Sequence, residues 1–244
     1  MALAIVMAGG RSSRMRATYG PAHKALVEVL GISMLERNLR ALSWFGFDDW
    51  RIAIAADEPE LAEFVRTQAA ELAASLGATI RTVIEREPHG TIGAVRNLGL
   101  AHGSLLVVNV DNLTALDLRA FVAAHETSGA ALTVAVHRET FTMPFGEVHV
   151  EDGAIVEYLE KPSFTYEISS GTYVLGEAAR AAVPSDRPMG LPELIGVLRS
   201  RGHRIGAYLH DAPWIDVNDA ESIKRAEALI SRHADRFAFH GAAR

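Results

Sequence analysis

Short apolar runs alternate with segments of helical periodicity over the first 110 residues, and this alternation constrains the fold more than any other feature. We predict strands at 3–8, 51–56, 79–85 and 105–110, and helices at 33–45, 58–75 and 92–101. Strands that are joined through helices form a mostly parallel sheet with both faces covered. The predicted fold class is therefore α/β, with one Rossmann-like domain built on a mixed, mostly parallel sheet.

The pattern changes after about residue 130. Residues 148–156 alternate around Asp152-Gly153, a strong signal for a two-residue hairpin, so we expect antiparallel strands to join the sheet as an extension. Further strands are predicted at 172–175 and 204–209, and helices at 191–201 and 219–232. Because no linker, repeat or low-complexity tract interrupts the chain, we predict one domain over 1–237 and a loose C-terminal tail over 238–244.

The composition excludes several classes of protein. The 244 residues are 49% hydrophobic and 22% charged, which is ordinary for a globular domain. The 24 basic and 30 acidic residues give a net charge of −6, so no nucleic-acid or anionic membrane surface is indicated. Without cysteine there is no disulfide framework or thiol nucleophile. The first apolar run is too short to span a membrane and lacks the basic region of a signal peptide, so we expect a cytoplasmic protein.

The first strand runs directly into residues that suit a polyphosphate. Glycines allow close backbone approach, exposed N–H groups and hydroxyls bind oxygens, and basic side chains supply fixed positive charge. The residues concerned are Gly9, Gly10, Arg11, Ser12, Ser13, Arg14 and Arg16, followed by Lys24. They indicate a nucleoside triphosphate site, although taken alone they also fit an ordinary strand-to-loop turn with solvated arginines.

Two carboxylates are candidates for holding a metal ion. Asp111 ends a buried-strand pattern, and Asp216 lies in a short apolar segment before a predicted helix. Two carboxylates that converge on one edge of a sheet could hold Mg²⁺, which takes few protein oxygens and leaves other positions to phosphate and water. Taken alone, Asp111 is better explained as a turn or cap residue.

Two further segments suit phosphate and base recognition. Lys161, in Glu160-Lys-Pro162, is a plausible point charge for a second phosphate, although a solvated lysine in a turn is the simpler alternative. Residues 85–94 pass from a strand into a predicted helix, and Gly90 and Thr91 would let a flat base lie against the backbone. The alternative is that Thr91 only caps that helix.

Familiar motifs of other enzyme classes are absent from the sequence. There is no His-Glu-x-x-His, no Gly-x-Ser-x-Gly elbow and no P-loop lysine motif, and the spacing after the first strand differs from Gly-x-Gly-x-x-Gly. Metalloprotease, serine hydrolase, P-loop and dehydrogenase chemistry are therefore disfavoured. We assign the ten histidines to the surface or the core.

Taken in order, these segments resemble the sugar-1-phosphate nucleotidylyltransferases, the nucleotidyltransferase family that makes nucleotide sugars. That family has Ala-Gly-Gly-x-Gly-Thr-Arg-Leu and Pro-Lys after its first strand, and then Gly-Thr-x-Gly-Ala, Asn-x-Asp, Glu-Lys-Pro, Gly-x-Tyr and Trp-x-Asp. The matching segments here are 8–15, 23–24, 90–94, 109–111, 160–162, 171–173 and 214–216. The resemblance spans about residues 3–232 and looks most like the short mannose- or heptose-1-phosphate guanylyltransferase branch.

The chain departs from the family pattern at a few positions. Ser12-Ser13 replaces Gly-Thr, as in the related molybdenum-cofactor cytidylyltransferases, and His23 stands where Pro precedes the lysine. Asn218 replaces the usual glycine, and Ser170 replaces a small apolar residue. None of these changes removes a charge that the chemistry needs, so we expect them to affect the loop conformation and the choice of substrate.

The resemblance implies the nucleotide-diphospho-sugar transferase fold, a nucleotidyltransferase domain over 1–237, and Mg²⁺ as the cofactor. It assigns catalysis to Arg14, Lys24, Asp111 and Lys161, and the metal to Asp111 and Asp216. It assigns nucleotide binding to Ala8, Gly9, Gly10, Arg11, Ser12, Ser13, Glu85, Gly90, Thr91 and Asn109. It assigns sugar-phosphate binding to Gly146, Glu160, Lys161, Gly171 and Trp214.

The implied reaction joins a nucleoside triphosphate to a sugar 1-phosphate and releases pyrophosphate. These two substrates are the expected partners, with neither nucleic acid nor membrane, and a homodimer is allowed. The resemblance favours GTP, while UTP, CTP, ATP and dTTP stay open. The alternatives are a cytidylyl- or uridylyltransferase acting on a cyclitol, a molybdopterin or a phospho-alcohol, and a non-catalytic paralogue that binds a nucleotide sugar.

Overall fold

The fold was obtained as a computed structural model, which describes residues 2–10, 12–87, 89–98 and 103–240. The strands are β1 (Ala2–Ala8), β2 (Glu28–Val29), β3 (Ile32–Ser33), β4 (Phe47–Ala55), β5 (Thr79–Glu85), β6 (Leu105–Asn109), β7 (Asn112–Thr114), β8 (Leu132–Thr142), β9 (Glu147–Glu151), β10 (Ala154–Leu159), β11 (Ser163–Leu175), β12 (Ile205–His210) and β13 (Trp214–Asp216). The helices are α1 (Ser13–Thr18), α2 (Met34–Trp44), α3 (Pro59–Phe64), α4 (Ala70–Ser75), α5 (Leu118–Ser128), α6 (Glu177–Ala182), α7 (Leu191–Ser200) and α8 (Ala220–Arg232).

Seven strands form the central sheet in the order β12, β8, β11, β6, β1, β4, β5. Only β11 runs antiparallel to its two neighbours, and the other adjacent pairs of this sheet are parallel. The predicted mixed, mostly parallel sheet is therefore confirmed. Because β1, β4, β5 and β6 run in one direction, their carboxyl ends share one edge of the sheet, which is where ligands bind in such folds.

The strand β1 lies inside the sheet and contributes to both core layers. Its Val6 packs into a cluster with Trp50, while the adjacent Met7 packs into a second cluster on the other side with Leu194. Successive side chains of a strand point to opposite faces, so a strand covered on both faces must be apolar throughout. This double burial is the physical reason for the uninterrupted apolar run at the start of the sequence.

A third, smaller cluster holds the segments that follow the strands. Met15 of α1, Leu113 of β7, Val217 after β13 and Ile223 of α8 are all buried in it. The helix α8 begins with a capping box, in which the Asp219 side chain accepts from the Ser222 N–H at 2.7 Å. The cluster fixes the loop after β1 relative to the β13 strand that ends at Asp216.

The predicted hairpin is present, but its relation to the sheet differs from the prediction. The strands β9 and β10 pair around Asp152-Gly153 and form a two-stranded sheet of their own. The antiparallel strand that joins the main sheet is β11, whose last four residues are the strand predicted at 172–175. The difference arises because β8 and β11 stay paired as far as Thr142 and Ser163, beyond the sheet, and the hairpin connects their far ends.

The helix predicted at 92–101 was also not found as such. The structure has a 3-10 helix at Gly93–Leu98, and residues 99–102 lie outside the described part of the chain. Gly93 is a poor helix former. The Thr91 hydroxyl accepts from the Leu191 N–H at 3.3 Å, so it ties this segment to α7. The segment predicted as one helix at 58–75 is helical from Pro59 to Ser75, with a π-helical turn at Val65–Ala69 between α3 and α4.

The first residues of the predicted tail are packed against the domain. Ala238–His240 form a 3-10 turn, and the buried Phe239 lies edge-on to Phe45 with ring centroids 5.3 Å apart. The boundary at residue 237 stays a prediction, and residues 241–244 lie outside the described part. Within the described residues, no helix combines the length and the apolar character needed to cross a bilayer.

Candidate active site

A cleft of about 600 Å³ opens at the carboxyl ends of β1, β4, β5 and β6. It brings together eight of the residues predicted from the sequence: Gly9, Gly10, Lys24, Glu85, Gly90, Thr91, Asn109 and Asp111. The other residues that line it are Met7, Ala55, Ala56, Asp57, Arg86, Glu87 and His89. Five separate stretches of the sequence, around residues 7–10, 24, 55–57, 85–91 and 109–111, thus meet at one edge of the sheet.

The loop after β1 is held in place by Ser12 and His23. The buried His23 ring bonds to the Gly10 carbonyl through Nε2 at 2.8 Å, and its Nδ1 accepts from the Ala25 N–H at 3.1 Å. An imidazole that makes both bonds is neutral, and burial lowers the pKa of His23. Ser12 adopts a left-handed conformation (φ 53°), and its Oγ accepts from the Lys24 N–H at 3.1 Å. These two departures from the family pattern therefore shape the loop and position Lys24.

The other predicted residues of this loop lie in different surroundings. Ala8 is fully buried at the end of β1, whereas Ser13 and Arg14 are exposed. Arg16 binds both carboxylate oxygens of Glu58, at 2.6 and 2.7 Å, so its charge is already paired. Arg11 lies outside the described residues.

Lys24, Asp111 and Asp216 form the charged centre of the site. The Lys24 ammonium is ion-paired with Asp111, and β13 pairs with β7 so that Asp216 stands opposite Asn112, the residue after Asp111. Burial and the neighbouring Asp111 raise the pKa of Asp216 to about 6, against the opposing charges of Lys24 and Arg14. The Asn218 amide donates a hydrogen bond to the Asp216 carboxylate. Asn218, the third residue that departs from the family pattern, thus contacts a residue of the site.

The residues present fit a magnesium ion better than a zinc ion. Among the described residues, no group of three or more His, Cys, Asp or Glu side chains is placed to hold a metal. The charge of Asp111 acts on Asp216 and contributes to its raised pKa, and a bound cation would relieve this repulsion between the two carboxylates. Mg²⁺ is commonly bound by one or two carboxylates together with substrate phosphates. Asp111 and Asp216 could provide the two carboxylates.

Glu85 occupies the opposite end of the cleft. Its side chain is 6% exposed, burial raises its pKa, and within the described part of the chain its Oε1 has no hydrogen-bond partner. The carboxylate lies so close to Gly9 that a Cβ there would overlap it. Gly90 has φ 79°, and a Cβ on it would lie 2.5 Å from the Met189 carbonyl oxygen. Gly9 thus allows close packing against a buried carboxyl group that lacks a full set of partners, while Gly90 allows close packing against the Met189 backbone.

The residues predicted to bind the sugar phosphate are divided between two places. Trp214 donates from Nε1 to the Ser170 carbonyl at 2.9 Å and to Asn112 Oδ1 at 3.2 Å, and Gly171 packs directly against Asn112. These residues therefore lie beside Asp111. Gly146, Glu160 and Lys161 lie at the base of the β9–β10 hairpin and do not line the cleft, and Glu160 accepts from the Tyr158 hydroxyl at 3.1 Å.

Some side chains near the site were not assigned a role from the sequence. Tyr173 hydrogen-bonds Asn109 and lies close enough to Asp111 and Asp216 for their charges to act on it, and burial raises its pKa. His137 packs against both His210 and Trp214, with ring centroids 5.5 Å apart in each pair. Burial and His137 lower the pKa of His210 to about 4. The Gly-x-Tyr motif contained Tyr173, whereas nothing in the sequence singled out the two histidines.

Comparison with known proteins agrees with this geometry. The model of the nucleotidyl transferase family matches residues 3–232. The chain belongs to the nucleotidyl transferase family. The resemblance drawn from its motifs is thereby confirmed.

Two relatives illustrate the similarity of the sequence to known proteins. The bifunctional protein GlmU of Exiguobacterium sp. is 28% identical over 95% of this chain and 53% of its own length. The mannose-1-phosphate guanylyltransferase of Mycobacterium tuberculosis is 26% identical over 94% of this chain and 64% of its own length. The chain thus spans about half the length of the GlmU relatives that it matches.

Solved structures share the fold. HddC from Yersinia pseudotuberculosis, complexed with GMP-PN, superposes with a TM-score of 0.71 at 21% identity and covers 93% of this chain and 99% of its own. The inositol-1-phosphate CTP transferase of T. maritima gives a TM-score of 0.67 at 14% identity, covering 95% of this chain and 96% of its own. The predicted nucleotide-diphospho-sugar transferase fold is confirmed.

Proposed function

We propose that the protein transfers a nucleotidyl group from GTP to a sugar 1-phosphate and releases pyrophosphate. The observation that carries this proposal is a cleft that is lined by the Gly9–Gly10 loop, Lys24, Asp111 and Glu85 together. Membership of the nucleotidyl transferase family supports the type of reaction. The relatives named mannose-1-phosphate guanylyltransferase favour both GTP and a sugar phosphate.

The proposed reaction needs no general base. A sugar 1-phosphate is largely dianionic at pH 7, because its second pKa is about 6. One of its oxygens forms a bond to the α-phosphorus while the bond from the α-phosphorus to the bridging oxygen breaks, and pyrophosphate leaves with that electron pair. The enzyme must hold two anions in line and neutralise the charge that develops on the leaving group.

We assign that neutralisation to the charged centre of the cleft. Lys24 and Arg14, with the amides of the loop after β1, would hold the triphosphate and the departing pyrophosphate. Asp111 and Asp216 would hold Mg²⁺, which, when bound, supplies Lewis-acid charge withdrawal from phosphate oxygens. Because Lys24 is already ion-paired with Asp111, substrate binding would exchange part of that contact for contacts with phosphate. Glu160, Lys161 and Gly171 are assigned to the sugar phosphate.

Glu85 is the basis for proposing guanine as the base. The Watson–Crick edge of guanine presents two adjacent donors, N1–H and the N2 amino group, and a carboxylate can accept from both. Adenine, cytosine and uracil do not offer two adjacent donors on that edge. A guanine seated at this end of the cleft would thus provide hydrogen-bond partners for a carboxyl group that is buried and incompletely satisfied.

A matrix of pyrophosphate release tests the proposal. Five nucleoside triphosphates are combined with sugar 1-phosphates, a cyclitol phosphate and a phospho-alcohol, with Mg²⁺ present. We expect GTP and a sugar 1-phosphate to give the highest kcat/KM. If turnover is fastest with CTP and another acceptor, the proposed substrates are wrong. If no pair of substrates gives turnover, the proposed activity itself is contradicted.

A matched pair of variants tests the role of Glu85. Glu85→Gln should lower kcat/KM for GTP by about 10- to 100-fold, the effect of losing one charge-assisted hydrogen bond, and change the other nucleotides little. Glu87→Gln alters an exposed carboxylate that lines the same cleft and should leave the nucleotide preference unchanged. An equal loss with every base would show that Glu85 does not read guanine.

A further inference from the structure

The chain between β8 and β11 exposes an unusual amount of apolar surface. Of the 15 large hydrophobic side chains exposed in the described part of the chain, ten lie between Phe141 and Tyr166. They are Phe141, Met143, Phe145, Val148, Val150, Ile155, Val156, Tyr158, Leu159 and Tyr166. We call these ten side chains the hairpin surface. Large exposed apolar patches mark interaction sites.

The extension of β8 and β11 has one polar and one apolar face. On the polar face, Thr140 hydrogen-bonds Thr165 at 2.9 Å, and Thr142 hydrogen-bonds Ser163 at 2.8 Å. On the other face, Phe141 stands opposite Phe164, and its ring centroid is 5.9 Å from that of Tyr166. The cross-strand polar pairs are already satisfied, while the aromatic face is exposed.

The β9–β10 hairpin repeats this arrangement. Its polar face carries His149, which contacts Glu147 at 3.1 Å and Glu157 at 3.0 Å. The opposite face carries Val148 and Val150, which pair in register with Tyr158 and Ile155, whereas Leu159 pairs with Glu147 on the polar face. Among the described residues, β9 and β10 pair only with each other, so the outer edge of each strand is open.

The size of the hairpin surface matches that of a protein interface. A two-stranded hairpin gains little stability by itself in water, so burial of its apolar face by a partner would stabilise this one. Its four aromatic side chains, of roughly 150–250 Å² each and exposed by 53–73%, present on the order of 500 Å² of apolar surface, to which the six aliphatic side chains add. A standard interface buries about 800 Å² per partner.

We propose that the hairpin surface is the interface with a second copy of this chain, related by a two-fold axis. A two-fold axis brings identical apolar faces together and lets an open strand edge pair antiparallel with itself. The charge of the segment disfavours a nucleic acid or an anionic membrane as the partner, since residues 139–167 contain seven acidic residues and one basic residue. The dimer is independent of the proposed substrates, so its test requires no activity.

Sedimentation velocity with adjacent substitutions tests the interface. Ile155 and Ala154 are neighbours on β10, and their side chains point to the apolar and polar faces respectively. The wild type and Ala154→Lys should sediment as dimers at micromolar concentration. Ile155→Lys should be monomeric, with a dissociation constant raised at least about 100-fold, and should keep the wild-type circular dichroism spectrum.

Cross-linking provides a second measurement that needs no charged substitution. Because the sequence lacks cysteine, Ile155→Cys supplies a single thiol, and it should form a covalent dimer with a short bis-maleimide. Leu209 is half-exposed on β12, away from the hairpin, and Leu209→Cys should not form a covalent dimer with the same reagent. A wild-type protein that stays monomeric at about 100 µM overturns the proposal. A monomer that binds phosphatidylcholine vesicles overturns it as well, because the surface would then contact lipid. The proposal is also overturned if Ile155→Lys remains a dimer and Ile155→Cys fails to cross-link.

Discussion

The cleft and the hairpin surface are built on opposite principles. The cleft lies where buried, parallel strands end, and its glycines, Lys24 and Asp111 are positioned by backbone packing on both faces of the sheet. The hairpin surface lies on two-stranded segments that extend beyond the sheet and expose one apolar face each. The comparison teaches that one molecule can carry a site whose residues converge through packing within the chain and a surface whose apolar side chains are left exposed by it, which we propose a second copy covers.

The largest expected effect tests whether the chemistry is confined to the cleft. The chain has three lysines, of which Lys24 lines the cleft, Lys161 lies at the base of the hairpin and Lys224 is exposed on α8. Lys24→Ala should lower kcat for pyrophosphate release at least about 100-fold, because it removes a fixed charge from the leaving group. Lys224→Ala should have the activity of the wild type. A Lys24→Ala variant that keeps half of that activity would remove Lys24 from the mechanism.

A pair of glycines compares the packing of the two regions. Gly90 and Gly153 both have positive φ, at 79° and 80°, but a Cβ on Gly90 would meet the Met189 backbone, while a Cβ on Gly153 would meet open space. Gly90→Ala should lower the free energy of unfolding by more than about 2 kcal/mol, since strain adds to overlap. Gly153→Ala should cost about 1 kcal/mol from strain alone. Urea unfolding measures both, and equal losses would contradict the packing described for Gly90.

A third prediction concerns the assignment of Lys161 to the sugar phosphate. Lys161→Ala should raise the KM for the sugar 1-phosphate about tenfold and leave the KM for GTP within about twofold, because only the acceptor loses a charged contact. Initial-rate measurements with each substrate varied in turn distinguish the two constants. If the KM for GTP rises instead, Lys161 belongs to the nucleotide side.

The smallest expected effect concerns pH and the loop after β1. Burial lowers the pKa of His23 below its ordinary value of 6.5. Neutral His23 therefore makes its full contribution to the stability of the fold above pH 6.5, and this contribution is lost as the pH falls below 6.5. His23→Asn should lower the Tm at pH 8, because the bond to Gly10 is lost, by an amount equivalent to about 1 kcal/mol. The difference in Tm between His23→Asn and the wild type, measured by thermal melts, should be smaller at pH 5.5 than at pH 8. A difference that grows on acidification would mean that His23 is protonated in the folded protein.

Sequence reasoning succeeded where strand direction alone determines position. Gly9, Glu85 and Asp111 each follow or end a parallel strand, so their convergence on one edge could be predicted. Tyr173 could not be placed in the same way, because β11 enters the sheet in the opposite direction and shifts register between Ser169 and Tyr173. The periodicity of 148–156 predicted two faces for the hairpin but carried no information on what covers the apolar one.

The departures from the family motif were visible in the sequence, but their effects were not. The role of His23 depends on a carbonyl 13 residues away along the chain, and that of Ser12 depends on the N–H group of Lys24. Such side-chain-to-backbone bonds follow from the path of a loop, which periodicity does not specify. The assignments of Arg14, Glu160 and Lys161 stay predictions for the same reason.

The position of β11 has a consequence for protein synthesis. This strand lies between β6 and β8 although it follows both in the chain, so the ribosome completes residues 105–109 long before their permanent neighbour emerges. During that interval the Leu-Leu-Val-Val edge of β6 is a bare template for pairing with other nascent chains. Insertion of β11 closes that edge, and a chain truncated before Leu175 should aggregate or be captured by chaperones.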